Sequence, residues 1–230
     1  MTESSTPRAR RLDPIALLAG AAVVTAYARA IWFTPPERVQ GYAQKILYVH
    51  APAAWVAFLA FGLTALAGAA WLFLKDPRLD RFAESSAEVG VVFTTAVLVT
   101  GPLWGRPIWG TWWTWDARLT LTLFLWFIYV GYLVLRGVIP GREARARAAA
   151  VLGILGALLI PFIHLSVYLF RTLHPMPVVA RPEGPTMPSV MLKTFFLAFF
   201  AFTLLYVALV RARVAYAAER DALEDLAAEA

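Results

Sequence analysis

The sequence predicts an all-α integral membrane protein: a six-transmembrane helix bundle with both termini in the cytoplasm and a tryptophan-rich loop on the outer face. Three observations carry that prediction. Of 230 residues, 60% are hydrophobic and 16% charged, and the mean hydropathy is +0.63. A usual soluble domain has roughly 45–50% apolar and about 25% charged residues, so this excess needs a solvent other than water. The apolar residues fall into six blocks, and the basic residues crowd the connections on one side.

The first block runs 14–28 without charge and continues past Arg29 to residue 36. Arg8, Arg10 and Arg11 precede it, and no Ala-x-Ala site followed by a soluble domain is evident, so it reads as an uncleaved first span. Five more charge-free stretches follow at 46–74, 89–105, 119–135, 148–170 and 194–210. A spanning helix needs about 20 mainly apolar residues. Backbone groups in lipid must be satisfied internally, and no period-2 alternation points to a barrel. The expected spans are therefore about 14–33, 51–74, 87–105, 119–136, 148–170 and 190–210, in one membrane domain over 1–210. Residues 211–230 alternate bases and acids with Ala and Leu, as suits a cytoplasmic helical tail that is a solvated end or a docking surface.

Sidedness follows from the connections. Arg8, Arg10, Arg11, Lys75, Arg78, Arg81, Arg136, Arg142, Arg145, Arg147, Arg211, Arg213 and Arg220 share one side, thirteen of the twenty-one basic residues. The positive-inside rule puts that side in the cytoplasm, and loops at about 34–47, 104–118 and 171–188 outside. The net charge of +6 thus reads as membrane topology rather than as a nucleic-acid surface. With no cysteine, disulfides, thiolate ligands and iron–sulfur clusters are excluded. Any metal must be held by nitrogen or oxygen, and there are only three histidines.

Five of nine tryptophans lie in Trp104-Gly105-Arg106-Pro107-Ile108-Trp109-Gly110-Thr111-Trp112-Trp113-Thr114-Trp115-Asp116-Ala117-Arg118-Leu119-Thr120. One or two would make an interfacial belt; five broken by Gly and Pro suit a flat apolar platform for a planar ring system, each indole N–H keeping a polar partner. Gly105 and Gly110 permit close backbone approach. Asp116, just before the fourth apolar run, is placed to cap that helix. Arg118 can snorkel to headgroups or pair with a carboxylate.

The pattern Trp-Gly-x-x-x-Trp-Gly-x-x-Trp-x-Trp-Asp-x-Arg-Leu-Thr resembles the "WWD" signature of the heme-handling proteins of cytochrome c biogenesis. Its Asp-x-Arg-Leu-Thr ending is similar to the heme exporter C (CcmC) branch, as are six spans in 230 residues, and the resemblance covers essentially the whole chain. It implies heme b (iron protoporphyrin IX) held at the outer face of a bacterial inner membrane and delivered to the heme chaperone CcmE. It also implies CcmD and the transporter subunits CcmA and CcmB as partners. The chain is then a binding and transfer component, not an enzyme, although it can assist covalent attachment of heme to the chaperone.

The histidines follow. His50 lies at the outer mouth of the second span, in Tyr48-Val49-His50-Ala51-Pro52, where Pro52 suits a first helical turn. His174 lies in Thr172-Leu173-His174-Pro175, and a residue before proline avoids helix, so an extended loop is expected. Alone, each reads first as an interfacial histidine. The resemblance changes that, because the family has axial-ligand histidines in Tyr-x-His-x-Pro and Thr-Leu-His segments, onto which His50 and His174 fall. It further implies that Trp104, Trp109, Trp113, Trp115 and Asp116 belong to the heme surface and that Arg118, then Lys45, meet the propionates. Two departures exist: the family usually has Arg where Lys45 stands, and Lys lacks the bidentate fork; and Leu169-Phe170 stands where the family tends to have Trp-Trp. His164, three residues after Pro161, is expected to face protein and hydrogen-bond near the kink.

The alternatives are a cofactor-free ABC-type permease subunit, which gives no reason for the tryptophans, and a structural scaffold of the assembly complex. A membrane metalloenzyme ranks last, since no His-Glu-x-x-His motif occurs. No Gly-x-x-x-x-Gly-Lys-Ser/Thr loop supports an ATPase role.

Overall fold

A computed structural model describes residues 13–229; Arg8, Arg10 and Arg11 lie outside the described residues. The chain is all-helical, with 81% of it in helix and no strand among the described residues. Six helices are long and apolar enough to cross a membrane. They are α1 (Pro14–Ala28, continued by a π-helical turn Arg29–Phe33), α2 (Leu47–Leu74), α3 (Pro77–Trp109), α4 (Ala117–Val138), the broken pair α5 (Arg142–Ala157) and α6 (Leu159–Leu169), and α7 (Ser189–Glu229). The break between α5 and α6 falls where Pro161 cannot donate to the Ala157 carbonyl and its ring crowds that carbonyl.

Helices α2 and α3 form the central hairpin. On one side α7 packs against both and carries α1 on its far side; on the other, α5 lies on α2, α4 joins α5 and α3, and α6 lies against α4. One core joins Ala53, Val56, Ala57 and Ala60 of α2 to Val89 and Phe93 of α3 and to Phe202, Tyr206 and Val210 of α7. A second gathers Phe61, Ala87, Leu125, Tyr129, Tyr132, Ala149 and Ile163. Lipid is as apolar as these side chains, so close packing and buried hydrogen bonds hold the helices together. The Phe61 and Tyr129 rings stack at 3.7 Å, and the Tyr129 hydroxyl donates to the Gly153 carbonyl at 2.8 Å. A Cβ on Gly90 would fall 2.5 Å from the Phe61 ring, so α2 and α3 meet this closely only because residue 90 has none.

The basic end is built around an ionic cluster. Arg136 of α4 donates to both Asp80 oxygens at 2.6 and 2.9 Å and to Glu84 at 3.1 Å, with only 3% of its side chain exposed. Glu84 also accepts both terminal nitrogens of Arg220 at 2.9 Å, and Arg213 of α7 clasps Glu88 of α3. The third helix starts ten residues before the expected span, at Pro77, where the Asp76 side chain caps it by accepting the Arg78 N–H at 2.8 Å. Beyond residue 210, α7 continues unbroken and packs on this cluster.

Three local expectations are corrected. Pro52 sits inside α2, not in its first turn, since the helix already begins at Leu47 after a 3-10 turn Tyr42–Ile46. The loop expected from residue 104 begins only after Trp109, where α3 ends. His164 is exposed and its side chain makes no hydrogen bond among the described residues: Ile163, Ser166 and Val167 take the inward face of α6, which turns His164 outward.

Candidate functional site

At the end of the bundle away from the ionic cluster, the loop after α1 folds on itself. The Glu37 carboxylate accepts the backbone N–H groups of Val39 at 2.8 Å and Gln40 at 2.7 Å, bonds that hold its pKa below the usual carboxylate range. Gly41, at φ +59°, then turns the chain into the 3-10 segment. That fixes Gln40, whose side-chain carbonyl accepts the indole N–H of Trp104 at 3.0 Å. The Trp104 ring lies edge-on to His50, with centroids 5.9 Å apart and planes at 72°.

His50, near the start of α2, is half-buried and hydrogen-bonded through Nδ1 to the Thr100 hydroxyl of α3 at 2.9 Å. It lies within electrostatic reach of His174 and Arg118, so three residues far apart in sequence converge here. His174 is on an extended loop, its backbone N–H donating to Thr172 Oγ1 at 3.1 Å. Its Nδ1 lies 3.0 Å from the Pro175 carbonyl. A carbonyl only accepts, so Nδ1 carries the proton and Nε2 keeps its lone pair. Burial first, and the Arg118 guanidinium second, push this imidazole down to about 4; it is neutral at neutral pH, as a metal ligand must be. Neither Nε2 makes a hydrogen bond among the described residues.

The tryptophans do not form one flat sheet. Trp104 and Trp109 stand on the last turns of α3, and Trp109 folds back over Gly105, where a Cβ would meet its ring at 2.9 Å. Gly110, at φ +76°, ends the helix in the left-handed region. Trp113 and Trp115 then meet edge to face at 5.7 Å and 76°, the arrangement ring quadrupoles favour. Trp112 and Trp115 point outward, 57% and 75% exposed, whereas Trp113 turns in and its buried N–H has no partner. Asp116 caps α4 as expected, accepting the Leu119 N–H at 3.0 Å and the Thr114 hydroxyl at 3.1 Å. This cap brings Arg118 onto the first turn of α4.

Lys45 has partners of its own. Its ammonium donates to the Ile31 carbonyl at 2.6 Å and lies over the Tyr42 ring, and no hydrogen bond joins it to either histidine among the described residues. Thr100 and Gln40 were invisible to sequence reasoning: a threonine within a span usually just bonds its own helix, and Gln40 sits in a loop with no motif. Hollows also lie elsewhere, among them a groove of about 820 Å³ between α4 and α5 and one of about 490 Å³ at the ionic end. Neither is lined by a histidine, and the two-imidazole chemistry, not hollow size, marks the site.

The sequence matches the family profile described as "Heme exporter protein C" over residues 3–227. The chain belongs to the heme exporter protein C family. Its relatives named "Heme exporter protein C" include those of Bradyrhizobium diazoefficiens, 39% identical over 76% of this chain and 66% of the relative, and Haemophilus influenzae, 38% identical over 76% and 71%. The Escherichia coli K12 protein is 40% identical over 68% of this chain and 65% of its own length. The chain thus spans about two thirds of these heme exporter C relatives.

Proposed function

We propose that this heme exporter C family member holds heme at the outer face of the bacterial inner membrane during cytochrome c maturation and delivers it to the chaperone CcmE. One arrangement carries this: His50 and His174 converge, each hydrogen-bonded through Nδ1, leaving both Nε2 atoms unengaged. Two neutral imidazoles without a thiolate suit the axial positions of heme b iron. The orphaned Trp113 N–H and the nearby Arg118 suit an anionic, largely apolar planar cargo better than a bare metal ion. His50 and His174 are the ligands, Arg118 pairs with a propionate through charge-assisted bonds, and Lys45 is the second cation available. Trp104 backs His50, while Trp109, Trp113 and Trp115, with the Asp116 cap, shape the surface.

The contribution is binding and orientation; the hard chemistry of attachment to the chaperone belongs to the cofactor. The family resemblance supports CcmD, CcmA and CcmB as partners, and the basic end, carrying the ionic cluster, faces the cytoplasm by the positive-inside rule. The test is an absorption spectrum of protein purified from heme-replete membranes, for wild type, His50→Ala and His174→Ala. A six-coordinate spectrum altered in both variants is the expected result. No heme in wild type, or a spectrum unchanged in both variants, returns the permease and scaffold alternatives.

A further inference from the structure

The donor count at Thr100 is informative. Its hydroxyl has one proton, and the Ala96 carbonyl on the preceding turn takes it at 2.7 Å. Toward His50, 2.9 Å away, Thr100 Oγ1 is therefore an acceptor, which requires the proton on His50 Nδ1. The ring is gripped by one face of α3: Thr100 binds Nδ1, a Cβ on Gly101 would stand 3.4 Å from Cε1, and Trp104, a turn further on, meets the ring edge-on at 5.9 Å. Flipping the imidazole puts a carbon in place of Nδ1 and breaks the Thr100 bond.

We infer that Thr100 is a positioning residue for His50, the proposed heme ligand: it fixes the Nδ1–H tautomer, leaves Nε2 as the nitrogen free to ligate, and sets how strongly the imidazole donates. This rests on the reading of His50 as a ligand. The chain from the Ala96 carbonyl through the Thr100 hydroxyl to Nδ1–H does for His50 what the Pro175 carbonyl does for His174. Ligating histidines gain basicity from such a partner, and its loss typically lowers metal affinity about 10- to 100-fold. A better-donating imidazole favours ferric iron, so losing the acceptor raises the midpoint potential of bound heme.

The experiment is a hemin titration and a redox titration of the full chain in detergent, for wild type, His50→Ala, Thr100→Val and Thr100→Ser. Thr100→Val keeps the side-chain shape and removes the acceptor; it is expected to bind hemin about 10- to 100-fold more weakly, at a higher midpoint potential. Thr100→Ser restores both, which a packing role alone would not produce. Wild-type affinity and potential in Thr100→Val, with His50→Ala defective, overturns the inference and leaves the ligand intact. A wild-type spectrum in His50→Ala overturns the ligand reading itself and this inference with it. If Thr100→Val does not melt as a folded protein, Thr100→Ala takes its place, and wild-type affinity and potential there are equally fatal.

Discussion

The Trp104 indole donates to the Gln40 side chain across 3.0 Å, tying the loop after α1 to the turn of α3 that backs His50. A neutral hydrogen bond of this kind contributes about 1 kcal/mol, or roughly fivefold in affinity. Gln40→Ala should therefore weaken hemin binding about fivefold, and Trp104→Phe, which keeps a ring against His50, by a similar factor. In the double variant the losses should not add, because each substitution breaks the same bond. Full additivity in a hemin titration would show that the two residues act separately.

Arg118 lies within electrostatic reach of both histidines. If it meets a propionate, Arg118→Gln should cost about tenfold or more in hemin affinity, the scale of a charge-assisted bond. Arg118→Lys should fall between, having charge without the planar fork. Hemin dimethyl ester supplies the control: it should bind wild type more weakly than hemin, and Arg118→Gln should lose nothing further with it. An equal loss for both ligands would place Arg118 in structure rather than recognition.

The His174 imidazole, held down to about 4 by burial and Arg118, competes poorly for protons. Heme retention through this ligand should stay flat as pH falls from 8 past the ordinary histidine range near 6.5, and fall only as pH approaches about 4. Stability follows the same sign. Below about 6.5 the unfolded chain takes up a proton that folded His174 refuses, so this residue opposes folding increasingly down to about 4. Arg118→Gln removes one of the depressing causes, and the loss of heme in a pH titration should move to higher pH.

At the basic end, burial separates ion pairs that matter from those that do not. Arg136 is nearly fully enclosed with Asp80 and Glu84, and removing it leaves Asp80 without an ionic partner among the described residues, while Glu84 keeps only Arg220. Arg136→Met should cost about 3–5 kcal/mol, the scale for breaking a buried pair. Arg142 meets Glu224 with both side chains over 40% exposed, and Arg142→Ala should change stability by under about 1 kcal/mol. Thermal melts in one detergent compare them directly; equal effects would contradict the difference in burial.

The six spans were legible because apolar runs of this length have few alternatives, and the Asp116 cap because it directly precedes its helix. Helix rotation was not: with lipid outside and apolar packing inside, nothing in the run around His164 tells the two faces apart. The ionic cluster left a signal, the acids Asp80, Glu84 and Glu88 at four-residue intervals, but their partners Arg136, Arg213 and Arg220 come 52 to 136 residues away in the pairs Arg136–Glu84, Arg213–Glu88 and Arg220–Glu84. The Thr100–His50 bond spans fifty residues and belongs to the same class. Pairings across the bundle exist only once the helices have taken their neighbours.

Helix α7 has 41 residues, about 60 Å at 1.5 Å per residue, while the hydrocarbon is about 30 Å thick. Roughly half of it therefore stands clear of the hydrocarbon as a stiff post, braced at its foot where Arg213 and Arg220 grip α3. The end of the chain is thus an ordered helix of fixed direction rather than a loose tail.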